Sequence, residues 1–314
     1  MYDLPRDLLT SCSPVAAWEY YKMAEIPLLE DFLAAPDEQI AMIAPESVIV
    51  VAGGTRRAAV LSGLPTESED YAHWLFGQMM AYYDLLFRHG IRNILNPIVI
   101  SANLIEFARF RIRFLSWIVE GLAGPTSLAE YARRGWRMRI VGIEHLPELR
   151  EAAALLEANT PEHWTRTVWW IVTTYAEEPW VALLAATQRV GARTRAEVIR
   201  ALYGEDIPTA RLLLGFGKPI ISPEVLPLLL VGELQGYWVQ RPGYSLTEPM
   251  LRRILYDYAY TRATGSGTER GWRYADVSLQ RAAWETDAVL GLGRRLGGFW
   301  YPAPFSDIPT DMDR

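Results

Sequence analysis

The chain has 314 residues, half of them hydrophobic, which is enough to bury a substantial core in one large domain or two smaller ones. Its formal net charge of -6 argues against a nucleic-acid polymer as a partner, so any anion site must be local. The single cysteine, Cys12, excludes an intrachain disulfide framework and fits a reducing compartment. No stretch predicts a signal peptide or a transmembrane segment, so we expect a cytoplasmic, folded protein.

Predicted strands and helices alternate along most of the chain. Short apolar runs predict strands at residues 48–51, 92–100, 136–142, 167–175 and 212–214, with one more at 228–231. Helical spacing of apolar residues predicts helices at residues 14–35, 67–89, 103–121, 127–134, 147–158, 179–190, 194–203, 249–262 and 275–290. Strands separated by helices imply right-handed parallel crossovers. The sequence therefore predicts an α/β fold with a central, mostly parallel sheet flanked by helices.

The predicted domain organisation is simple, because no linker is long enough to demand two domains. We predict an N-terminal helical extension over residues 1–45, a single α/β domain over residues 46–302, and a C-terminal tail over residues 303–314. The small polar segment 263–270, ATGSGTER, is predicted to be a mobile loop.

The most informative stretch is Ser47–Leu64, in which a strand of apolar residues stops at Gly53 and Gly54 and is followed by Thr55 and two arginines. The arginines are Arg56 and Arg57. Glycine allows close backbone approach and guanidinium groups match the spacing of phosphate oxygens, so this turn suggests capture of a phosphorylated ligand. In parallel sheets, ligands lie beyond the carboxyl ends of the strands, where this turn is expected. The alternative is an ordinary strand-to-helix turn with a solvated arginine pair.

Other residue types exclude several chemistries. The four histidines are scattered without metal-ligand spacing, which argues against a zinc site, and no serine lies in a hydrolase elbow. The 12 tryptophans and 16 tyrosines suit a deep apolar cavity as well as an aromatic core. Arg252 and Arg253 are interpreted as a pair on a helix face or a dimer surface.

The order of strand, glycine–arginine turn, long helix and second strand resembles the cis-prenyltransferase superfamily. Within it, the sequence looks closest to the tuberculosinyl-adenosine transferase (isotuberculosinol synthase) group. The matching pieces run in consistent order from about Val48 to Trp300: Gly54–Arg57, Asp70–Tyr71, Leu86–Phe87, His89–Ile91, Pro97–Ile98, Tyr203–Glu205, Gly215–Gly217, Thr247–Glu248, Leu251–Asp257 and Gly298–Trp300.

This resemblance implies a homodimer with a hydrophobic tunnel that binds a prenyl or terpenyl diphosphate. Such enzymes ionise the allylic C–O bond, and cyclisation with proton loss, water or a small nucleophile then quenches the cation. The resemblance places the diphosphate on Gly53, Gly54, Thr55, Arg56 and Arg57, and it makes Tyr71 and Asp70 the candidate catalytic residues.

Two departures from the family pattern stand out. Gly53 occupies the position of the family's catalytic aspartate, which puts the implied Mg²⁺ dependence in doubt, and Glu69 or Asp70 could supply a displaced carboxylate. The segment Gly215–Lys218 lacks the arginines that bind isopentenyl diphosphate, so repeated chain elongation is not expected. The alternatives are a non-catalytic relative that binds prenyl diphosphate or partners an active subunit, and an α/β enzyme of unrelated chemistry.

Overall fold

A computed structural model describes residues 26–66, 68–106, 111–227, 230–261, 292–296 and 299–302. Its strands are β1 (Ser47–Val51), β2 (Asn93–Val99), β3 (Trp136–Val141), β4 (Arg166–Val172), β5 (Ala210–Phe216), β6 (Val231–Val239), β7 (Gly293–Leu296) and β8 (Phe299–Pro302). The helices before β3 are α1 (Leu29–Ala34), α2 (Asp37–Ala41), α3 (Thr55–Leu61), α4 (Glu69–Arg88), α5 (Ser101–Glu106), α6 (Arg111–Ala123) and α7 (Pro125–Arg134). Those after β3 are α8 (Arg150–Ala158), α9 (Glu178–Val190), α10 (Arg195–Tyr203) and α11 (Glu248–Tyr256), which continues as a π-helical turn (Asp257–Thr261).

The centre of the fold is a six-stranded sheet in the order β3-β4-β2-β1-β5-β6. All of its neighbouring strands pair in parallel, which confirms the predicted fold class. β1 lies between β2 and β5, with Val48 beside Ile94 on one side and Leu212 on the other. The turn that follows β1 is therefore at the middle of the carboxyl edge of the sheet.

Both faces of the sheet are covered, which is why its strands read as continuous apolar runs. Successive β1 side chains point to opposite faces: Val48 and Val50 pack in the larger core with α4, whereas Ile49 packs in the smaller core with α10. All three are fully buried. We call these two sides the α4 face and the α10 face.

Helix α4 combines the predicted apolar pattern with a side-chain cap at its start. Ser68 Oγ accepts a hydrogen bond from the Tyr71 backbone N–H at 3.3 Å, so Ser68 is the N-cap. Its buried face carries Met79, Tyr82, Tyr83 and Leu86 against the sheet. Helix α10 begins with a capping box formed by Thr194 and Glu197.

Charged side chains tie α2, α4 and α11 together at the amino edge of the sheet, opposite the turn. Arg252 donates to the carbonyls of Leu33 and Ala35, at 3.2 and 2.6 Å, and to the Asp37 and Glu248 carboxylates, at 2.5 and 3.0 Å. Its side chain is only 11% exposed. Arg252 is therefore held in a buried contact and does not form an exposed pair with Arg253, which is exposed.

Several boundaries differ from the prediction. The last strand of the sheet, β6, begins at Val231, where the predicted strand 228–231 was to end. The sequence did not predict the rest of β6 because Gly232 and Gly236 interrupt its apolar pattern. The predicted helix 103–121 is observed as α5 and α6, with residues 107–110 outside the described chain. β7 and β8 form an antiparallel pair that the sequence did not predict.

Other predictions fall on residues that the structure does not describe. The helix predicted at 14–35 is observed only in its last part, as α1, because residues 1–25 lie outside the described chain. The loop predicted at 263–270 and the helix predicted at 275–290 lie entirely outside it. Among the helices that the structure describes, none is long and apolar enough to cross a membrane.

Candidate functional site at the end of the central strand

The turn after β1 has a backbone that requires glycine. Gly54 is the N-cap of α3 and has φ of +80°, a conformation that residues with a side chain adopt at a cost. As a glycine, it has no side chain with which to cap the helix start. The preceding residue, Gly53, is also crowded, since a Cβ there would lie 3.0 Å from the Phe216 carbonyl oxygen at the end of β5.

Arg57 lies across this turn. A Cβ placed on Gly54 would be 2.5 Å from Arg57 Nη2, and one placed on Gly217, just beyond β5, would be 3.5 Å from the same nitrogen. The guanidinium group is therefore held between the carboxyl ends of the two adjacent strands β1 and β5. Arg57 is half-buried and Arg56, one residue earlier, is exposed.

Tyr71, in the first turn of α4, is linked to the same turn. Its hydroxyl is 3.0 Å from Thr55 Oγ1, at the start of α3. Burial raises the pKa of Tyr71 above its ordinary value of 10.0, although the Thr55 hydrogen bond and the Arg56 charge oppose the shift. The phenol is therefore neutral at physiological pH. Its ring is 6.5 Å from that of Trp117 in an edge-to-face arrangement.

The loop after β6 completes the surroundings of the turn. The Gly243 backbone N–H donates to the Gly53 carbonyl at 2.8 Å, and a Cβ on Gly243 would lie 3.1 Å from Ala58 Cβ, so the loop packs closely on α3. The next residue, Tyr244, has its ring 5.5 Å from that of Tyr82. Sequence reasoning missed this loop; the turn-forming pair Pro242–Gly243 was its only signal.

A cavity of about 270 Å³ lies between α3, α4 and this loop. Its lining combines apolar side chains with a few polar groups: Thr55, Ala58, Leu61, Ser62, Trp74, Leu75, Gln78, Arg241, Pro242, Gly243, Tyr244 and Ser245. A larger cleft of about 700 Å³ lies at the carboxyl ends of β2, β3 and β4, with Arg111, His145 and Tyr175 in its wall. Of these two cavities, the smaller one is bordered by Thr55, the residue between the glycine pair and the arginine pair of the turn.

The predicted site residues are only partly brought together. The structure brings together six of them, joined by the contacts described above: Gly53, Gly54, Thr55, Arg56, Arg57 and Tyr71. Asp70 and Glu69 are exposed on the first turn of α4, and among the described residues no hydrogen bond or ion pair joins the Asp70 carboxylate to the turn. Lys218, beyond β5, is also exposed.

Metal-ligating side chains converge elsewhere. Ligand atoms of Asp37, His89 and Glu248 lie within 4.8 Å of one another at the amino edge of the sheet. However, Arg252 Nη2 already lies 2.5 Å from Asp37 Oδ1 and 2.9 Å from Glu248 Oε1. A guanidinium group therefore occupies the place of a cation there.

Comparison with known proteins identifies the class and then the family. No family model matches the chain. The structure superposes on lavandulyl diphosphate synthase from Lavandula x intermedia, solved in complex with dimethylallyl diphosphate, with a TM-score of 0.56 and 16% identity over 69% of this chain and 96% of that one. The fold expected from the resemblance is thereby confirmed.

Two characterised relatives span nearly the whole sequence. (+)-Kolavelool synthase from Herpetosiphon aurantiacus is 38% identical over 281 residues, which cover 89% of this chain and 97% of the relative. Tuberculosinyl adenosine transferase from Mycobacterium tuberculosis is 27% identical over 299 residues, 87% of this chain and 97% of that one. The chain belongs to the family of (+)-kolavelool synthase.

This membership confirms the prediction of a terpenoid-forming enzyme that ionises an allylic diphosphate and does not elongate chains. Nothing in the comparisons favours the non-catalytic alternative.

Proposed function

We propose that the turn from Gly53 to Arg57 binds the diphosphate of an allylic prenyl or terpenyl substrate, and that Tyr71 acts at the carbon from which the diphosphate departs. The observation that carries this proposal is the placement of Arg57 across the turn, between Gly54 and Gly217. Two glycines with positive φ let the backbone approach a ligand closely at that point. A diphosphate seated there would face the fork of the guanidinium group.

The arginines would supply most of the catalysis. When the allylic C–O bond breaks, its electron pair leaves with the diphosphate, so negative charge grows on the leaving oxygens. Cationic donors held in place before the reaction stabilise such charge more than water does. Arg57 already lies across the turn, and exposed Arg56 would contact the diphosphate from the solvent side.

Tyr71 and the cavity would handle the other product of ionisation, the carbocation. Burial keeps the phenol neutral, so the ring presents an electron-rich face and no anion that would trap the cation. Trp74, Leu75 and Ala58 line the neighbouring cavity and suit the hydrocarbon next to the reacting carbon. Cyclisation with proton loss, water or a small nucleophile then ends the reaction. Asp70, which the structure leaves exposed, stays a prediction.

The residues of the turn do not fit a resident Mg²⁺ ion. Mg²⁺ prefers carboxylate and other oxygen ligands, whereas the turn carries two guanidinium groups, and its Gly53 has no side chain. In this proposal the two arginines take over the neutralisation of charge on the diphosphate.

The proposal includes a cytoplasmic homodimer. A cytoplasmic location is supported by the single cysteine. Pairing is supported by an apolar stripe on α9, where Trp180, Val181 and Leu184 are 49%, 51% and 61% exposed. Light scattering of the wild type and of a Trp180→Glu, Leu184→Glu double variant tests the assignment. A dimer that the double variant converts to monomer supports it, and a monomeric wild type contradicts it.

The reaction is tested by incubating the purified protein with linear and bicyclic C10 to C20 allylic diphosphates. Diphosphate release and organic products are measured for the wild type, for Arg57→Ala and for Arg253→Ala, which removes an exposed arginine on α11. We expect turnover of at least one substrate by the wild type and by Arg253→Ala, and a loss of about a hundredfold or more in Arg57→Ala. No turnover of any substrate by the wild type contradicts the proposed reaction, and equal turnover in Arg57→Ala contradicts the proposed site.

A further inference from the structure

The α4 face contains a polar cluster inside an otherwise apolar core. Asn96 of β2 is fully buried there, next to Val50 near the end of β1. Around it lie the hydroxyls of Tyr83 and Tyr244, and Trp170 Nε1 donates to the Tyr83 oxygen at 3.0 Å. Buried polar groups are costly unless they are paired, so a cluster of this kind indicates either a fixed core geometry or a chemical role.

The orientation of the Asn96 amide determines which groups of the cluster donate hydrogen bonds and which accept them. With the Asn96 amide oriented to satisfy its surroundings, Nδ2 donates to the Val50 carbonyl at 2.9 Å and to the Pro97 carbonyl at 3.3 Å. Its Oδ1 then accepts from the hydroxyls of Tyr244, at 3.0 Å, and Tyr83, at 2.5 Å. In this orientation every amide atom has partners of the right kind. The single hydroxyl proton of Tyr244 is thereby committed to Asn96.

Because its proton is donated to Asn96, Tyr244 cannot donate a hydrogen bond to any further partner. Its oxygen has free lone pairs and no remaining proton, so toward any further partner it acts as an acceptor. Burial raises the pKa of Tyr244 to about 12, although the hydrogen bond with Asn96 opposes the shift, so the group is neutral at physiological pH. Proximity to Tyr71 adds to the rise. Tyr244 also lines the cavity that Thr55 borders.

We propose that Tyr244 is a further active-site residue, whose oxygen accepts a hydrogen bond from the water molecule that captures the allylic cation, and that Asn96 and Tyr83 are the positioning residues for it. This inference rests on the proposed function. A water molecule that donates one proton to Tyr244 turns a lone pair toward the cavity. The allylic C–O bond breaks with its electron pair on the diphosphate, the water oxygen forms the new C–O bond, and the departing diphosphate takes the surplus proton.

Water capture gives an alcohol, whereas proton loss from the same cation gives an alkene, so the ratio of the two products reports on the water. Tyr244→Phe removes the acceptor oxygen and keeps the ring. We expect it to lower the alcohol-to-alkene ratio about tenfold, the effect of one lost hydrogen bond, while diphosphate release continues. Tyr83→Phe leaves Asn96 with one donor fewer, so it shifts the ratio in the same direction by a smaller factor.

The matched control is Tyr203→Phe, which removes a buried phenol oxygen on the α10 face, where Tyr203 packs against Trp169. We expect its product ratio to equal that of the wild type. The inference is overturned if Tyr244→Phe keeps the wild-type ratio, or if it does not fold and Tyr83→Phe keeps that ratio. A wild type that releases diphosphate without forming any alcohol also overturns it and leaves the proposed function standing. A wild type that releases no diphosphate overturns both.

Discussion

Replacing Gly54 by alanine tests the placement of Arg57 without removing any charge. The new Cβ would lie 2.5 Å from Arg57 Nη2, well inside van der Waals contact, so the guanidinium group must shift from its position over the turn. In addition, alanine at φ of +80° costs roughly 1–2 kcal/mol of folding stability. If the displaced arginine no longer meets the leaving diphosphate, turnover should fall by a factor on the order of 10² to 10³.

Gly63→Ala is the control for the backbone strain. Gly63 has φ of +75°, and nothing lies within 4 Å of a Cβ placed there, so it reproduces the strain without the collision. Both variants should lose similar free energy of unfolding in a urea titration. Only Gly54→Ala should lose diphosphate release under saturating substrate. Wild-type turnover in a folded Gly54→Ala variant would refute the reasoning.

Three further predictions concern the charge cluster, Tyr71 and the metal. Arg252→Ala removes the hydrogen-bond donor from two carboxylates and two carbonyls, so it should lower the free energy of unfolding by about 3 kcal/mol in a urea titration. Arg253→Ala should lower it by less than about 0.5 kcal/mol. Equal losses in the two variants would contradict the assignment of Arg252 to a buried contact. Because the pKa of Tyr71 is raised above 10.0, its neutral form persists and turnover should show no Tyr71 ionisation below pH 10. The folding stability that the neutral Tyr71 contributes should be lost only as the pH rises above 10. If turnover instead fell with pH below 10, and this fall remained in Thr55→Val but disappeared in Tyr71→Phe, a buried neutral phenol would be contradicted. Addition of EDTA should lower turnover by less than roughly tenfold, whereas a loss of about a hundredfold or more would show that a metal stabilises the diphosphate.

The sheet could be predicted from the sequence because buried parallel strands leave a strong local pattern. The run Val48–Val51 and the glycine pair after it locate the central strand and its turn without any tertiary information. β6 could not be found in the same way, since Gly232 and Gly236 interrupt its pattern and it is fixed as a strand by pairing with β5. The same holds for Arg252, whose burial depends on α1 and α2 packing against α11.

The sequence predicted the turn with its two arginines and Tyr71, but it did not predict the buried polar cluster around Asn96. The turn and Tyr71 carry recognisable residue types, and the structure brings them together. Asn96, Tyr83 and Tyr244 are far apart in the sequence, and a buried asparagine in a strand resembles any other polar residue until its partners are known. Their relation follows from the packing of α4 and the β6–α11 loop on the sheet.

The most direct test of the central claim is a crystal structure with a non-hydrolysable allylic thiodiphosphate. We predict that the diphosphate contacts both Arg56 and Arg57 at the turn after β1, and that the reacting carbon lies beside Tyr71. A diphosphate bound instead in the larger cleft, against Arg111 and His145, would contradict the account.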